Sequence, residues 1–263
     1  MVYAVFYLPM AAHRSLLADK YHFDDSKVLT PAFRSELMGL ICNPSTDLFQ
    51  SCGWATRSLS ARDISSGQLH PSAAYNLNAQ AQDATTSLIQ GVLDKGVNIR
   101  EVYVDTIGPP ATYQKRLERL FPALNFTVAK KADSLYPCVS AASVCAKVTR
   151  DAALDVLWSA WSATSASNEE TWGSGYPSDV RCSSWLKRNA HALFGWGNEC
   201  RFSWGTAKDL LESKNSPCHV EWPESDTENS AFTLSSFFLG ANEECQDELA
   251  GWYGSKIRAD EVF

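Results

Sequence analysis

Val102-Tyr103-Val104-Asp105-Thr106, then Lys131-Ala132-Asp133-Ser134-Leu135-Tyr136-Pro137, then Val139-Ser140-Ala141-Ala142-Ser143-Val144-Cys145-Ala146-Lys147: the order of these three runs decides the fold. Glu101 to Val104 is a β-branched and aromatic run of the kind that makes a half-buried strand. Asp105 stands where that strand stops, and Gly108-Pro109-Pro110 ends it. From Tyr113 to Phe121 the spacing of Leu117, Leu120 and Phe121 predicts a helix that turns Lys115, Arg116 and Arg119 outward. Asn125 to Ala129 alternates as a second strand, with Asp133 just past its end. A strand–helix–strand unit implies parallel strands and a right-handed crossover. Both carboxylates then emerge at one edge of the sheet, where α/β folds place their sites. Two carboxylates there suit a hard cation such as magnesium. The same spacing also fits solvated loop aspartates, with Asp133 capping the helix after Pro137.

Working outward, Val2 to Leu8 is a continuous apolar run, as for a strand covered on both faces. Thr30-Pro31 opens a helix with an N-cap and a proline at its first position, running to about Ile41. Gly53 to Leu59 reads as another strand. Ala73 to Leu93 reads as a long helix with Leu77, Ala81, Ala84, Leu88 and Val92 along one face. Beyond the central unit a helix is predicted from Pro137 to Trp158, then a Ser- and Ala-rich loop from Ser162 to Asn168. Two amphipathic helices follow, over Ser178–Phe194 and Ser203–Ser213. From Lys214 the composition turns acidic and poor in apolar residues. Residues 1–213 are therefore expected to form one domain and 214–263 a flexible acidic tail.

The charge divides at almost the same place. Of a net −7, residues 219–263 carry ten acidic and two basic side chains, and the rest of the chain is +1. A near-neutral body with basic clusters is compatible with nucleic acid, which needs only a local phosphate-facing patch. The eight cysteines contain no Cys-x-x-Cys pair, so zinc-finger spacing is absent and reduced thiols in an intracellular protein are expected. No run reaches the ~18 apolar residues of a membrane span, so no membrane partner is expected.

The wording of the central stretch adds to its spacing. Val-Tyr-Val-Asp-Thr-Ile-Gly, Lys-Ala-Asp-Ser-Leu-Tyr-Pro and Val-Ser-Ala-Ala-Ser-Val-Cys-Ala-Lys-Val resemble the catalytic subunit of eukaryotic type 2 ribonuclease H. Asp25-Ser26-Lys27, Tyr75-Asn76-Leu77-Asn78, Gly173-Ser174-Gly175-Tyr176-Pro177 and Arg201-Phe202-Ser203-Trp204 agree with that family in order, so the resemblance spans roughly Met1 to Leu211. It implies an α/β, ribonuclease H-like mixed sheet flanked by helices, with a helical C-terminal portion. The activity implied is an endonuclease that cuts the RNA strand of RNA–DNA hybrids and incises duplex DNA at embedded ribonucleotides. A four-carboxylate site holding two Mg2+ or Mn2+ ions is implied for it, with Asp105 and Asp133 as two of the four. Tyr176 matches the family tyrosine that packs on the sugar beside the ribonucleotide, while Lys27 and Lys131 sit in matching motifs and face either phosphates or water. Lys147 and Arg150 face either phosphate or water. The resemblance further implies two accessory subunits in a heterotrimer and a nuclear location.

The family's other two carboxylates belong to an Asp-Glu-Ala-Gly-Arg-Gly signature just upstream of Met-Val-Tyr-Ala, where this sequence begins. The expectation is an incomplete chain, inactive as written, with its first strand missing from the sheet. A non-catalytic scaffold that keeps the fold is the alternative. A small-molecule phosphatase with aspartates at strand ends conflicts with the Gly-Tyr-Pro motif. In the tail, Leu234, Phe237 and Phe238 stand at i, i+3 and i+4 and resemble a degenerate sliding-clamp box, with Ala231 where glutamine normally opens it. The same three residues also suit docking to an accessory subunit or to the chain's own body.

Overall fold

The computed structural model describes residues 1–23, 29–69, 75–106, 108–164, 172–176, 179–213 and 219–220. One compact unit spans Met1–Val220; the unit beyond it, Glu221–Phe263, lies outside the described residues, as does Lys27. Leu234, Phe237 and Phe238 share that position, so their expected role stays with the sequence.

The chain opens with β1 (Val2–Tyr7), a 3-10 turn (Met10–Ala12) and a π-helical stretch (His13–Lys20). Helix α1 (Pro31–Cys42) begins as the capping residues predict: Pro31 sits in the first turn, and Thr30 accepts a hydrogen bond from the Phe33 N–H at 3.3 Å. Next come α2 (Asp47–Ser51), β2 (Gly53–Ser58), α3 (Ala61–Leu69) and α4 (Leu77–Asp94). The central unit is β3 (Glu101–Asp105), α5 (Pro110–Leu120) and β4 (Asn125–Ala129), with β3 and β4 parallel as predicted. A short α6 (Ala132–Leu135) and a long α7 (Pro137–Thr164) follow, then α8 (Val180–Arg188) and α9 (Gly205–Glu212).

Two apolar clusters hold this together. Phe6, Leu17, Leu37, Ile41, Val144 and Cys145 join β1, α1 and α7, and Ile89, Leu117, Phe121, Phe126 and Val128 join α4, α5 and β4. Burial pushes the Cys138 and Cys145 thiols up to about 11 and about 12, so both stay protonated and pack as small hydrophobes. No described helix is long and apolar enough to cross a membrane.

Several boundaries differ from those expected. Helix α4 starts at Leu77 instead of Ala73, because Asn76 caps it by accepting from the Ala79 N–H at 2.9 Å. Its buried face takes Ile89 where the spacing favoured Leu88. Leu120 is 50 % exposed; Leu117 and Phe121 alone carry the apolar face of that segment. Helix α7 continues past Trp158 to Thr164, into the segment expected to be a loop. The helix expected over Ser178–Phe194 covers only Val180–Arg188, since Asn189 donates its side-chain N–H to the Trp185 carbonyl and the chain turns back through a bridge between His191 and Gly195.

β1 pairs antiparallel with β2, setting Val2 opposite Ser58, and among the described residues β3 pairs with β4 alone. Among the described residues the expected α/β architecture is present, with its antiparallel and parallel pairings in two separate two-stranded sheets. A cavity of about 1350 Å³ is lined by β1, β3, α4 and the first turns of α7.

Candidate active site

The β3–α5–β4 unit brings the two aspartates together. Thr106 donates its N–H to the Ala129 carbonyl at 3.1 Å, so pairing continues past the end of β3 and holds the exit of β4 beside Asp105. There Lys131 adopts a left-handed conformation, φ 56°, which turns the chain sharply into α6. The turn aims the Ala132 N–H at Asp105 Oδ1, 2.9 Å away. Asp133 is the next residue. It is 6 % exposed, in the first turn of α6. Both aspartates line the large cavity.

Beside them lies an aromatic cluster that no sequence pattern signals. Tyr103, two residues before Asp105 and on the same face of β3, lies 4.4 Å from Tyr136 and 6.4 Å from His13, ring centroid to ring centroid. Its hydroxyl donates to Glu101 at 2.7 Å. That bond, followed by burial, pushes the phenol up to about 12, so Tyr103 is a neutral wall of the cleft.

The donor chemistry fits a hard divalent cation. Magnesium is commonly held by one or two carboxylates, with waters and substrate phosphates completing the shell. Asp105 and Asp133 can supply that pair. Among the described residues no group of three or more His, Cys, Asp or Glu side chains converges as a fuller cage.

Tyr176 does not line the cavity. It ends the Trp172–Tyr176 loop, 53 % exposed, on a backbone that passes through Gly173 and Gly175 at φ 82° and 72°. Asp179 Oδ2 accepts from the Ser174 N–H at 2.8 Å. That bond, then the Arg181 guanidinium, holds the Asp179 carboxyl well below the usual carboxylate range. Arg201 and Ser203 of the Arg-Phe-Ser-Trp run both donate to Gln68 Oε1, at 2.9 and 2.8 Å, which ties that motif to α3. Burial first, then the charges of Arg150 and Arg201, lower the pKa of the Met1 ammonium, and Met1 lies on the cavity wall. Arg150 and Arg201 thus act on the charge of Met1, although neither lines the cavity. Lys131 is exposed beside Asp133.

A parallel β–α–β unit that delivers two aspartates to one cleft, with basic side chains nearby, defines a ribonuclease H-like α/β enzyme. Residues 1–207 match the family model of ribonuclease HII, and the chain belongs to that family as a catalytic subunit of type 2 ribonuclease H. The ribonuclease H2 A-subunit of Neurospora crassa is 55 % identical over 260 residues, covering 97 % of this chain and 79 % of the relative. Among solved structures, the ribonuclease H2 of Pyrococcus horikoshii superimposes with a TM-score of 0.60 at 22 % identity, over 80 % of this chain and 96 % of that one. The ribonuclease HII of Archaeoglobus fulgidus, solved in complex with PCNA, does so with a TM-score of 0.56 at 24 % identity, over 71 % and 78 %. Both share its fold.

Proposed function

We propose that this ribonuclease H cuts the RNA strand of RNA–DNA hybrids and incises DNA at embedded ribonucleotides, by hydrolysis of the phosphodiester at a two-metal site. The observation that carries this is the Asp105–Ala132 hydrogen bond, which fixes the two carboxylates in one cleft. Asp105 and Asp133 would hold Mg2+ or Mn2+, and bound cations there supply an activated water and a charge that stabilises the leaving oxygen. Asp105, tied through one oxygen to the Ala132 amide, would have its other oxygen left for a bound cation. Lys131, with Lys27, would contact flanking phosphates and fix the register of the duplex. Tyr176 would pack on the deoxyribose beside the junction, where a 2′-hydroxyl does not fit.

The relatives are named as one lettered subunit of ribonuclease H2, which supports a place in a larger complex, here with two accessory subunits in the nucleus. Leu234, Phe237 and Phe238 would anchor a partner, either an accessory subunit or a sliding clamp such as the PCNA in the archaeal complex. The test is magnesium-dependent cleavage of a labelled hybrid by the chain carrying the family's Asp-Glu-Ala-Gly-Arg-Gly segment ahead of Met1. Asp105→Asn and Asp133→Asn should each lower turnover by at least about a hundredfold. Undiminished cleavage in either variant removes that residue from the site, and no cleavage by the parent protein supports the scaffold reading.

A further inference from the structure

Arg150 lies on α7, against the Trp172–Tyr176 loop. Its Nη1 donates to Asp151 Oδ1 at 2.8 Å, its Nη2 donates to the Ser174 carbonyl, and its guanidinium carbon is 4.6 Å from the centroid of the Tyr176 ring. There is little spare space: a Cβ on Gly175 would stand 3.1 Å from Arg150 Nη2. From the other side Asp179 takes the Ser174 N–H, so Ser174 is gripped through both its amide and its carbonyl. Only 24 % of the Arg150 side chain is exposed, whereas the ring above it is largely open to solvent.

A tyrosine after a left-handed glycine has several rotamers within reach. A planar cation beneath the ring, forked to the carbonyl two residues earlier, selects one of them. We infer that Arg150 is a positioning residue for Tyr176: it backs one face of the ring and presents the other to the sugar beside a ribonucleotide. This rests on the sugar-reading role proposed above for Tyr176. Because its hydrogen bonds to Asp151 and Ser174 engage protein oxygens, Arg150 governs discrimination between sugars more than overall affinity.

Two measurements test this on the 263-residue chain. The first is 19F NMR of 3-fluorotyrosine placed at position 176, with no nucleic acid present. The intact protein should give one line displaced from that of the free amino acid. Arg150→Ala should return it toward the free value, and Arg150→Lys, which keeps the charge without the planar fork, should do so in part. A line moved by neither variant overturns the positioning role. The second is binding, by fluorescence anisotropy, of duplex DNA with one embedded ribonucleotide against an RNA–DNA hybrid of the same sequence, in which the sugar facing Tyr176 carries a 2′-hydroxyl. Arg150→Ala and Tyr176→Ala should each lower the affinity ratio about tenfold, and the double variant should lower it no further. A ratio lost in Tyr176→Ala but kept in Arg150→Ala refutes the positioning and leaves the sugar reading standing. Equal weakening on both duplexes in Arg150→Ala makes it a phosphate contact instead, and an unchanged ratio in Tyr176→Ala overturns both readings.

Discussion

Lys131 shows what a single residue contributes to this site. A left-handed conformation costs a residue with a Cβ about 1–2 kcal/mol, and Lys131 has no local hydrogen bond of the Asn or Asp kind to offset it. The conformation is retained because it swings Ala132 under Asp105 and sets Asp133 in the same cleft. Glycine at this position should therefore be tolerated better than alanine. Lys131→Gly is expected to be more stable than Lys131→Ala by about 1 kcal/mol in thermal or urea unfolding, after allowing for glycine's greater freedom in the unfolded chain. Equal stabilities would mean that the turn is not strained. The aspartates themselves were legible, because alternation and the crossover rule together fix which end of the sheet they reach. The turn between them was not, since lysine carries no preference for a positive φ. Arg150 was equally hidden: helical spacing says which way a side chain points and nothing about the loop it meets.

The Trp172–Tyr176 loop depends on its anchors as an element. Gly173 at φ 82° brings the backbone so close that a Cβ would stand 2.9 Å from Asp179 Oδ2 and 3.0 Å from the Cys182 nitrogen. Asp179 accepts from Ser174 and from Arg181, and these bonds favour its charged form. Its pKa in the folded chain is thus depressed below the unfolded value. The stability it contributes is fully present above the unfolded aspartate value, near ~3.9, and is lost only as pH falls through the lower folded one. On acidification the Ser174 amide should keep its bound chemical shift through the ordinary aspartate range and move only below it. An NMR titration with a midpoint at the ordinary value would show that the anchor is weak. Asp179→Asn should loosen the loop already at neutral pH. At this scale the sequence performed unevenly. Thr30-Pro31 set the start of α1 because capping chemistry is local, whereas the end of α8 depends on Asn189 bonding to Trp185 and on the turn at Gly195, which amphipathic spacing does not encode.

Across the whole molecule the governing feature is the cleft beside the two small sheets. Each sheet has one pairing edge in use, and the hydrogen bonds reveal which groups are turned the other way. Met1 and Leu59 exchange both backbone bonds, so by alternation Tyr3, Val5 and Tyr7 point their N–H and C=O groups at β2, while Val2, Ala4 and Phe6 point theirs away. On β3, Arg100 accepts from Asn125 and Thr106 donates to Ala129; the even positions Val102 and Val104 therefore face β4, and Glu101, Tyr103 and Asp105 face away. Among the described residues no strand pairs with either outward edge. Such edges are templates for a further strand, and apolar walls from β1 and α4 enclose the space next to them. Hydrogen exchange should accordingly alternate along each strand. The amides of Tyr3, Val5, Val102 and Val104 should be protected, and those of Val2, Ala4, Phe6 and Tyr103 should exchange much faster, as residue-resolved NMR would show. Any segment that adds a strand in the cleft, the Asp-Glu-Ala-Gly-Arg-Gly extension included, should slow exchange at the second set and leave the first unchanged. Uniform protection of both sets in the 263-residue chain would mean that the edges are already covered. Uniform lack of protection would mean that neither sheet persists on its own.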